Sequence, residues 1–288
     1  MKEAPVTVGI PTFGRGARVT QCIERALSCD PPPGEVIVHI DSASGTLSQE
    51  LVARFPQLRI LTSKDRVGPG GGRGRCIAAA QFPYFASFDD DSWPIDADFF
   101  AALEARFAAN PQVACLAATI FHRGQDEPER TSRSQVVAEY VGCGYALRVD
   151  RYRNIGGHID RKIPYGFEER DLSLQLHGAG WQVLRCGDLR VLHDTALSHH
   201  NRPEITSGTI ENAVLLAWIR YPIRLWPYAA LQFANTVYFL LSQRRFAGIA
   251  AGVVGAPFEV WRHRHLRQPM SATIIRSFLR LRPVKAVS

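Results

Sequence analysis

Short apolar runs alternate with stretches of helical periodicity over most of this chain. Runs rich in Val, Ile and aromatic residues are typical of strands, and apolar residues three or four positions apart are typical of helices. The predicted strands are residues 6–10, 36–40, 59–62, 84–88, 113–119, 143–149 and 181–185. The predicted helices are 19–27, 96–109, 169–179 and one that follows a glycine-rich segment, 68–74, through Ala80. We expect Pro11 to end the first strand and Gly180 to cap the helix 169–179. This alternation predicts an α/β fold with a largely parallel sheet.

Acidic and glycine-rich segments follow the carboxyl ends of these strands, where the ligands of such sheets bind. Asp41 follows the second strand, and Asp89, Asp90 and Asp91 follow the fourth. Adjacent carboxylates without a basic neighbour repel one another unless a cation lies between them, and a hard divalent ion such as Mg2+ or Mn2+ is the usual occupant. The sequence therefore predicts a metal and phosphate site, with a solvated, helix-capping turn as the alternative.

A second acidic cluster, Glu168, Glu169 and Asp171, opens the predicted helix 169–179. Two separate clusters suit phosphoryl-linked group transfer, because one set of carboxylates holds a metal against the charge of a departing diphosphate and another takes a proton from the nucleophile. The alternative for the second cluster is a charged helix start that the helix dipole favours.

Positive charge is concentrated in the C-terminal part of the chain, which has a formal net charge of +7. Residues 244–288 carry nine Lys and Arg against one acid, whereas the first 243 residues carry 25 basic and 26 acidic groups. These arginines alternate with Phe246, Phe258, Trp261, Phe278 and Leu279. The mixture favours an anionic membrane surface as partner. A solvated or intramolecular role is the next alternative, and nucleic acid is the least favoured.

A run of 19 uncharged residues, 225–243, precedes this basic region. At about 1.5 Å of rise per residue, such a helix barely crosses a hydrocarbon core. Pro227, Gln232 and Asn235 also interrupt its apolar character. We therefore expect helices that lie in the membrane interface, with a spanning helix as the alternative.

The cysteines and the N-terminal residues give no indication of export. Six scattered cysteines without a C-x-x-C pair argue against a zinc ribbon or a disulfide framework. The first residues enter an apolar strand without the features of a signal peptide. We expect buried, reduced thiols and a cytoplasmic protein, peripheral on the inner face of the plasma membrane.

A series of motifs occurs in a fixed order along residues 6–193. They are the strand and turn 6–15 with Pro11-Thr12-Phe13, VHIDSAS at 38–44, GPGGGRGR at 68–75, DDDSWP at 89–94, YGFEERDL at 165–172, Gly180-Trp181 and VLH at 191–193. The ordered set resembles the inverting family 2 glycosyltransferases of the GT-A fold, especially the bacterial rhamnosyltransferase-like members. The resemblance implies a Rossmann-like mixed, mostly parallel sheet flanked by helices, with a helical, membrane-associating C-terminal extension. It implies a nucleotide-sugar-binding catalytic domain at 1–205 and the extension at 206–288.

The resemblance also implies roles for individual residues. The implied donor-binding residues are Pro11, Thr12, Phe13, Arg15, Asp41, Gly68, Arg73, Arg75, Asp89 and Asp90. Asp41 would read the nucleobase, and Arg73 and Arg75 would neutralise phosphate. The D-x-D motif makes Asp91 the metal ligand and Asp89 a ligand on the ribose side. His193 would join them, although an ordinary histidine is the alternative, and the ion would be Mn2+ or Mg2+.

The implied base is Glu169, with Asp171 and Glu168 as alternatives. It would accept the proton of a hydroxyl on a glycan or polyprenyl-linked acceptor, which attacks a UDP-, dTDP- or GDP-sugar with inversion.

Four positions depart from the family pattern. Ser42 and Ala43 replace a second acid and a glycine after Asp41, Gly74 stands where Asn is common, and Glu169 stands where Asp is more frequent. The donor contacts are therefore expected to differ in detail. Because a misplacement of about 1 Å costs on the order of a hundredfold in rate, the neighbouring chain must compensate for the longer Glu169 side chain.

Two other functions remain as alternatives. A nucleotidyltransferase would not need Glu169, and its glycine-rich signature belongs after the first strand, where Gly14-Arg15-Gly16 is too short. A membrane-bound scaffold that has lost transfer activity is the other alternative, and the intact carboxylates of both clusters argue against it.

Overall fold

The strands form one mixed sheet in the computed structural model, which describes residues 2–42, 45–163, 165–195 and 202–281. Their bounds are β1 Ala4–Thr12, β2 Pro33–Ile40, β3 Arg59–Thr62, β4 Tyr84–Phe88, β5 Ser92–Pro94, β6 Val113–His122, β7 Ser134–Val137, β8 Gly144–Arg148 and β9 Gln182–His193. The order is β3-β2-β1-β4-β8-β6-β9-β5, with β7 paired to β9 beside this path. Strands β3, β2, β1 and β4 are parallel, and β8 runs antiparallel to both of its neighbours. The predicted α/β fold is confirmed.

Helices cover both faces of this sheet. Their bounds are α1 Gly16–Leu27, α2 Leu47–Arg54, α3 Gly68–Ala79, α4 Phe99–Ala109, α5 Val149–Arg153, α6 Glu168–Gly178, α7 Pro203–Arg220, α8 Trp226–Ser242, α9 Ile249–Arg262 and α10 Ala272–Leu279. Successive residues of a strand point to opposite faces. Thus Val36 and Val38 pack in the core that α1, α2 and α4 share, whereas Ile37 packs in the core beneath α3 and α6. The six cysteines are buried free thiols, as predicted.

The first strand continues through Pro11 to Thr12, so the prediction that Pro11 ends it is wrong. Strand β4 pairs with β1 only as far as Gly9, whereas β2 pairs with it up to Thr12. Because one side of β1 is unpaired beyond Gly9, a proline without an N–H is tolerated there. The end of β1 thereby projects beyond β4 toward the acidic triplet.

The glycine-rich segment is the first part of α3 itself, not a loop that leads into it. A Cβ at Gly72 would lie 2.8 Å from Nδ1 of His39 and 3.0 Å from Cβ of Pro11. A Cβ at Gly70 would overlap the carboxylate of Glu168. The glycines therefore allow α3 to pack directly on β1 and β2 and beside α6.

The helix α6 ends as the sequence predicts. Its last residue is Gly178, and Gly180 adopts a φ of +86° two residues later. A left-handed glycine just after a helix satisfies carbonyl groups of its last turn. This turn returns the chain into β9.

The C-terminal helices are joined to the rest of the fold by buried polar contacts. Arg220 at the end of α7 donates from Nε and Nη2 to Asp171 of α6 at 2.5 and 3.0 Å. Asn212 donates to the carbonyls of Ile163 and Tyr165 at 2.8 and 3.0 Å. The helical extension is confirmed, and its division from the catalytic domain between 205 and 206 stays a prediction. Residues 282–288, with the last two basic groups, lie outside the described residues.

The apolar side chains of the C-terminal region fall into two groups. Phe278 is buried and, with Leu279, packs in the core cluster of α10 that also includes Leu174 of α6. Phe246, Phe258 and Trp261 are exposed. The expectation of a surface role therefore fails for Phe278, because α10 uses it to dock on α6. None of the helices in the described parts of the chain is both long enough and apolar enough to span a membrane.

We predict that Arg220→Ala lowers the free energy of unfolding by about 3–5 kcal/mol, because it leaves the buried Asp171 carboxylate without its cation. Urea denaturation measures this loss. The control is Arg224→Ala, which changes an exposed arginine four residues away and is expected to stay within about 0.5 kcal/mol of the parent. Equal stability of the two variants would contradict the anchoring role of the ion pair.

Candidate active site

The turn after β1 is fixed to the acidic triplet by Asp90. Thr12 Oγ1 donates to Asp90 Oδ2 at 2.7 Å, and Arg15 Nε donates to the same oxygen at 3.0 Å. Asp90 is buried, and burial raises its pKa to about 6 against the opposing effects of Arg15 and Thr12. Asp90 therefore joins the carboxyl ends of β1 and β4. Its predicted contact with a donor stays a prediction.

Asp91 lies beside two arginines and a histidine. Its Oδ2 accepts from Arg15 Nη1 at 2.9 Å and from Arg18 Nη1 at 3.1 Å, and its Oδ1 lies 3.2 Å from His193 Nε2. Burial alone would raise the pKa of Asp91, but these contacts hold it below the ordinary value. Burial would lower the pKa of His193, and its hydrogen bonds to Asp91 and Cys143 raise it to about 11. Two of the three predicted metal ligands, Asp91 and His193, are therefore in contact.

Asp89 belongs to a group of three potential metal ligands. One ligand atom each of Asp89, Cys143 and His193 lies within 4.8 Å of the other two. The oxygen, sulfur and nitrogen atoms of this set are donors that divalent transition ions accept. Asp91 adds a carboxylate that touches His193. The residues present therefore fit a divalent cation at the end of β4.

Arg73 of α3 joins the two acidic clusters. Its Nη2 pairs with Asp89 and its Nη1 pairs with Glu168, while its Nε donates to Ser87 Oγ at 3.2 Å. Only 2% of its surface is exposed. Burial would lower the pKa of Arg73, and the carboxylates hold it well above the ordinary value. Arg73 thus serves first as an internal cation between Asp89 and Glu168.

Glu168 and Glu169 differ in their surroundings at the start of α6. Glu168 is buried, and its Oε2 has no hydrogen-bond partner among the described residues. Glu169 is partly exposed, and a Cβ at Gly142 would lie 3.0 Å from its Oε1 and 3.1 Å from Arg73 Nη2. Burial and the neighbouring Glu168 charge raise the pKa of Glu169 to about 8. Glu169 therefore combines access to solvent with the basicity of a proton acceptor near neutral pH.

Asp171, the other alternative for the base, is engaged in the interior. Both of its oxygens accept from Arg220, and Oδ2 also accepts from Gln175 at 2.8 Å. It is 2% exposed. These contacts give Asp171 a structural role and favour Glu169 for proton transfer.

Asp41 caps the N-terminus of α3. It accepts from the backbone N–H groups of Val67 and Gly68 at 2.9 Å each and from Ser63 Oγ at 3.0 Å. Asp41 is buried, so these bonds hold the glycine-rich helix start against β2. Its role in reading a nucleobase stays a prediction. Ala43 and Ser44 of the same motif lie outside the described residues.

The other predicted donor residues differ in their exposure and in their contacts. Phe13 is 53% exposed, and the guanidinium of Arg66 lies 4.6 Å from its ring centroid. Gly68 has a φ of +75° and contacts the carbonyl of Arg161. Arg75 pairs with Asp160 at 3.0 Å and accordingly contacts neither acidic cluster. The turn that bears Phe13 is thus the exposed part of this set.

Four residues of the site were not predicted from the sequence. They are Arg18, Ser92, Gly142 and Cys143. Arg18 lies just before the predicted helix 19–27, and its contact with Asp91 depends on tertiary packing. A lone cysteine before a strand gives no sequence signal, because the Asp89 and His193 side chains near it come from the end of β4 and from β9.

Solved structures share this fold at low sequence identity. GalNAc-T7 with UDP, GalNAc and Mn2+ aligns with a TM-score of 0.61 and 12% identity over 77% of this chain and 49% of that one. S. aureus TarS 1-349 in complex with UDP-GlcNAc aligns with a TM-score of 0.57 and 14% identity, over 74% of this chain and 65% of that one. The mannosyltransferase PcManGT from Pyrobaculum calidifontis, in complex with GDP-Man and Mn2+, aligns with a TM-score of 0.57 and 14% identity. This alignment covers 97% of this chain and 87% of that one. This chain thus covers about half of the first protein and less than two thirds of the second. The similarities confirm the GT-A fold.

Family membership follows from a sequence comparison as well as from this geometry. No curated protein sequence matches the chain significantly. The model of glycosyl transferase family 2 matches residues 7–169, which is more than half of the chain and includes the acidic triplet together with Glu168 and Glu169. The rhamnosyltransferase-like subtype stays a prediction. With the GT-A fold and the matched sequence in agreement, the chain belongs to glycosyl transferase family 2.

Proposed function

We propose that this protein is an inverting glycosyltransferase that moves a sugar from a nucleotide-diphosphate sugar to a hydroxyl of a lipid-linked or cell-surface glycan. The observation that carries the proposal is the meeting of two acidic clusters at Arg73, beyond the carboxyl end of β4. One cluster offers metal ligands, and the other offers a partly exposed carboxylate with a raised pKa. Sugar transfer from a diphosphate needs both functions.

The donor is proposed to bind along the ends of β1 and β4. Asp89, Asp91 and His193 would hold Mn2+ or Mg2+, which supplies positive charge against a diphosphate leaving group. Arg15 also pairs with Asp90 and Asp91, but its side chain is 53% exposed, against 40% for Arg75 and 3% for Arg73. Arg15 is therefore the most exposed of the three arginines proposed to meet a phosphate group. The solved structures with UDP or GDP-Man support a UDP-, dTDP- or GDP-sugar as donor.

Glu169 is proposed to act as the general base. It accepts the proton of the acceptor hydroxyl, whose oxygen attacks the anomeric carbon from the face opposite the diphosphate and inverts its configuration. A base with a pKa near the working pH is the most effective proton acceptor. The carboxylate of Glu169 and the guanidinium of Arg73 lie near each other, because Gly142 has no side chain between them.

A cavity lined in part by the start of α6 supports an amphipathic acceptor. It has a volume of about 460 Å³, and it extends from Gly166 and Arg170, the residue that follows Glu169 in the sequence, into the space between α7 and α8. Its apolar lining includes Leu216 and Phe239. Gln232, Asn235 and Thr236 line it with polar groups. A phosphate-linked polyprenyl chain that carries a glycan has this combination of apolar and polar parts.

Helices α8 and α9 are proposed to rest on an anionic membrane at the cytoplasmic face. Their exposed apolar side chains include Trp226, Tyr228, Leu231, Tyr238, Phe239, Leu241, Val253, Val254, Phe258 and Trp261. The adjoining arginines are Arg244, Arg262 and Arg264. Aromatic residues beside arginines suit the headgroup region of an anionic bilayer. No nucleic-acid partner is proposed.

We predict that Glu169→Gln lowers the rate of sugar transfer about a thousandfold, because the amide cannot accept the hydroxyl proton. Donor binding should persist, since Glu169 is not proposed to touch the nucleotide. Transfer is measured with Mn2+ and a panel of nucleotide sugars, and binding is measured by thermal shift with the matching nucleotide diphosphate. Glu104→Gln, an exposed change on α4, is the control.

The outcome of these assays separates the candidate functions. Full transfer by the Glu169→Gln variant would contradict the assignment of the base. Nucleotide binding without transfer or donor hydrolysis by the parent protein would point to an inactive scaffold. Formation of diphosphate from a nucleoside triphosphate and a sugar phosphate would point to a nucleotidyltransferase.

We predict that kcat/KM rises with pH to a plateau above about pH 8, because the base acts only when it is deprotonated. Between pH 4.5 and about pH 8, the raised pKa means that Glu169 keeps its proton in the folded protein but loses it in the unfolded chain. The contribution of Glu169 to the free energy of unfolding therefore falls as the pH rises through this range. The Tm of Glu169→Gln should therefore increase relative to the parent over the same range. A constant difference in Tm would show that the carboxylate titrates normally.

We predict that replacing Phe258 and Trp261 together with serine weakens binding to anionic vesicles at least about tenfold, because burial of each side chain contributes about 1.5–3 kcal/mol. Co-sedimentation with phosphatidylglycerol vesicles measures the affinity, and phosphatidylcholine vesicles test the need for negative charge. The control is Val52→Ser, which removes an exposed apolar side chain from α2. Unchanged sedimentation of the double variant would exclude this surface as the membrane contact.

A further inference from the structure

We propose that Cys143 is a sulfur ligand of the divalent cation at the end of β4, where it acts together with Asp89 and His193. The inference rests on the proposed function for the location of the metal, and it adds a ligand and a metal preference. The ligand atoms of the three side chains lie within 4.8 Å of one another. Within the described ranges, no other group of three His, Cys, Asp or Glu side chains comes this close.

The three side chains can face a common ion because they come from different parts of the sheet. Asp89 follows β4, Cys143 directly precedes β8, and His193 ends β9. Metal–ligand bonds to sulfur and nitrogen are about 2.0–2.3 Å long, so a small side-chain movement brings all three atoms to one ion. A thiol without other ligands nearby would be an ordinary core residue, but Cys143 has a carboxylate and an imidazole beside it.

Ser92 holds the three ligand-bearing segments together. Its buried hydroxyl accepts from the Asp89 backbone N–H at 2.7 Å and donates to the Cys143 carbonyl at 2.6 Å. Its backbone is the partner of His193 in the antiparallel pairing of β5 with β9. One serine thus links all three backbone segments, and such support keeps ligands in the geometry that a metal needs.

This ligand set differs from the one predicted from the D-x-D motif. Asp91 contacts Arg15, Arg18 and His193, and it is not part of the group of three. Cys143 therefore adds a sulfur atom to the proposed ligands, and Asp91 remains beside the group through His193. The difference matters for the choice of metal, because Mg2+ prefers oxygen ligands and thiolate sulfur favours softer transition ions.

Binding would release two protons, one from Cys143 and one from the imidazolium of His193, because both ligands bind in their deprotonated forms. The S–H bond of Cys143 breaks, the proton goes to solvent, and the sulfur electron pair forms the bond to the cation. The site would therefore prefer Co2+, Zn2+ or Cd2+ to Mg2+, and Mn2+ would lie between them. A site made of oxygen ligands alone would not give this order of preference among the metal ions.

The test is a titration of the full chain with Co2+, followed by its absorption spectrum. We expect a sulfur-to-cobalt charge-transfer band in the near ultraviolet. Cys143→Ala should abolish the band and weaken Co2+ binding at least about tenfold. The matched control is Cys76→Ala, which removes another fully buried thiol from α3 and should keep the band.

Competition with Mg2+ gives a second readout that does not depend on sugar transfer. Cys143→Ala should reduce the preference for Cd2+ over Mg2+ at least about tenfold. Co2+ binding without a sulfur band, with or without UDP, would overturn the role of Cys143 and leave the proposed transferase intact. Retention of the band in Cys143→Ala would overturn it as well. A sulfur band in a protein that transfers no sugar would instead support the ligand and contradict the proposed function.

Discussion

The site depends on one buried cation, the guanidinium of Arg73. Asp89 at the end of β4 and Glu168 at the start of α6 are separated by almost eighty residues in the chain, and each pairs with one nitrogen of this group. Without a cation between them, two carboxylates in a buried setting would repel each other and stay protonated. The ion pairs make it possible to bring the carboxylates proposed as metal ligand and as base into one site. Arg73 therefore sets the arrangement of the acids around it.

The position of Arg73 depends in turn on the glycines of α3. Helix residues with side chains at Gly70 or Gly72 would collide with Glu168, His39 or Pro11. The bare backbone lets α3 approach the sheet closely enough for a mid-helix arginine to reach across the end of β4. Asp41 holds the first turn of this helix by its backbone N–H groups. The glycine-rich segment is thus a packing surface in this structure.

The sequence patterns predict where most of the strands lie along the chain and where both acidic clusters lie, because these depend on local periodicity and on motif order. They do not predict the extension of β1 through Pro11, which depends on where the pairing with β4 ends. They also do not distinguish Glu169 from Asp171, since two acids in one helical turn differ only through partners such as Arg220, which lies far along the chain. Cys143 escapes prediction for the same reason. Short elements such as β5 form because β9 supplies their partner, not because of their own composition.

The attachment of α7 has a geometric consequence for the whole C-terminal region. Arg220 grips the same helical turn that carries Glu169, and Asn212 holds the backbone just ahead of it. Helix α7 also packs against α8 and α9. The exposed side of α8 and α9 is consequently linked through α7 to the turn of α6 that carries the proposed base. On the proposed membrane surface, the orientation of α7 would therefore fix the height of that turn above the lipid.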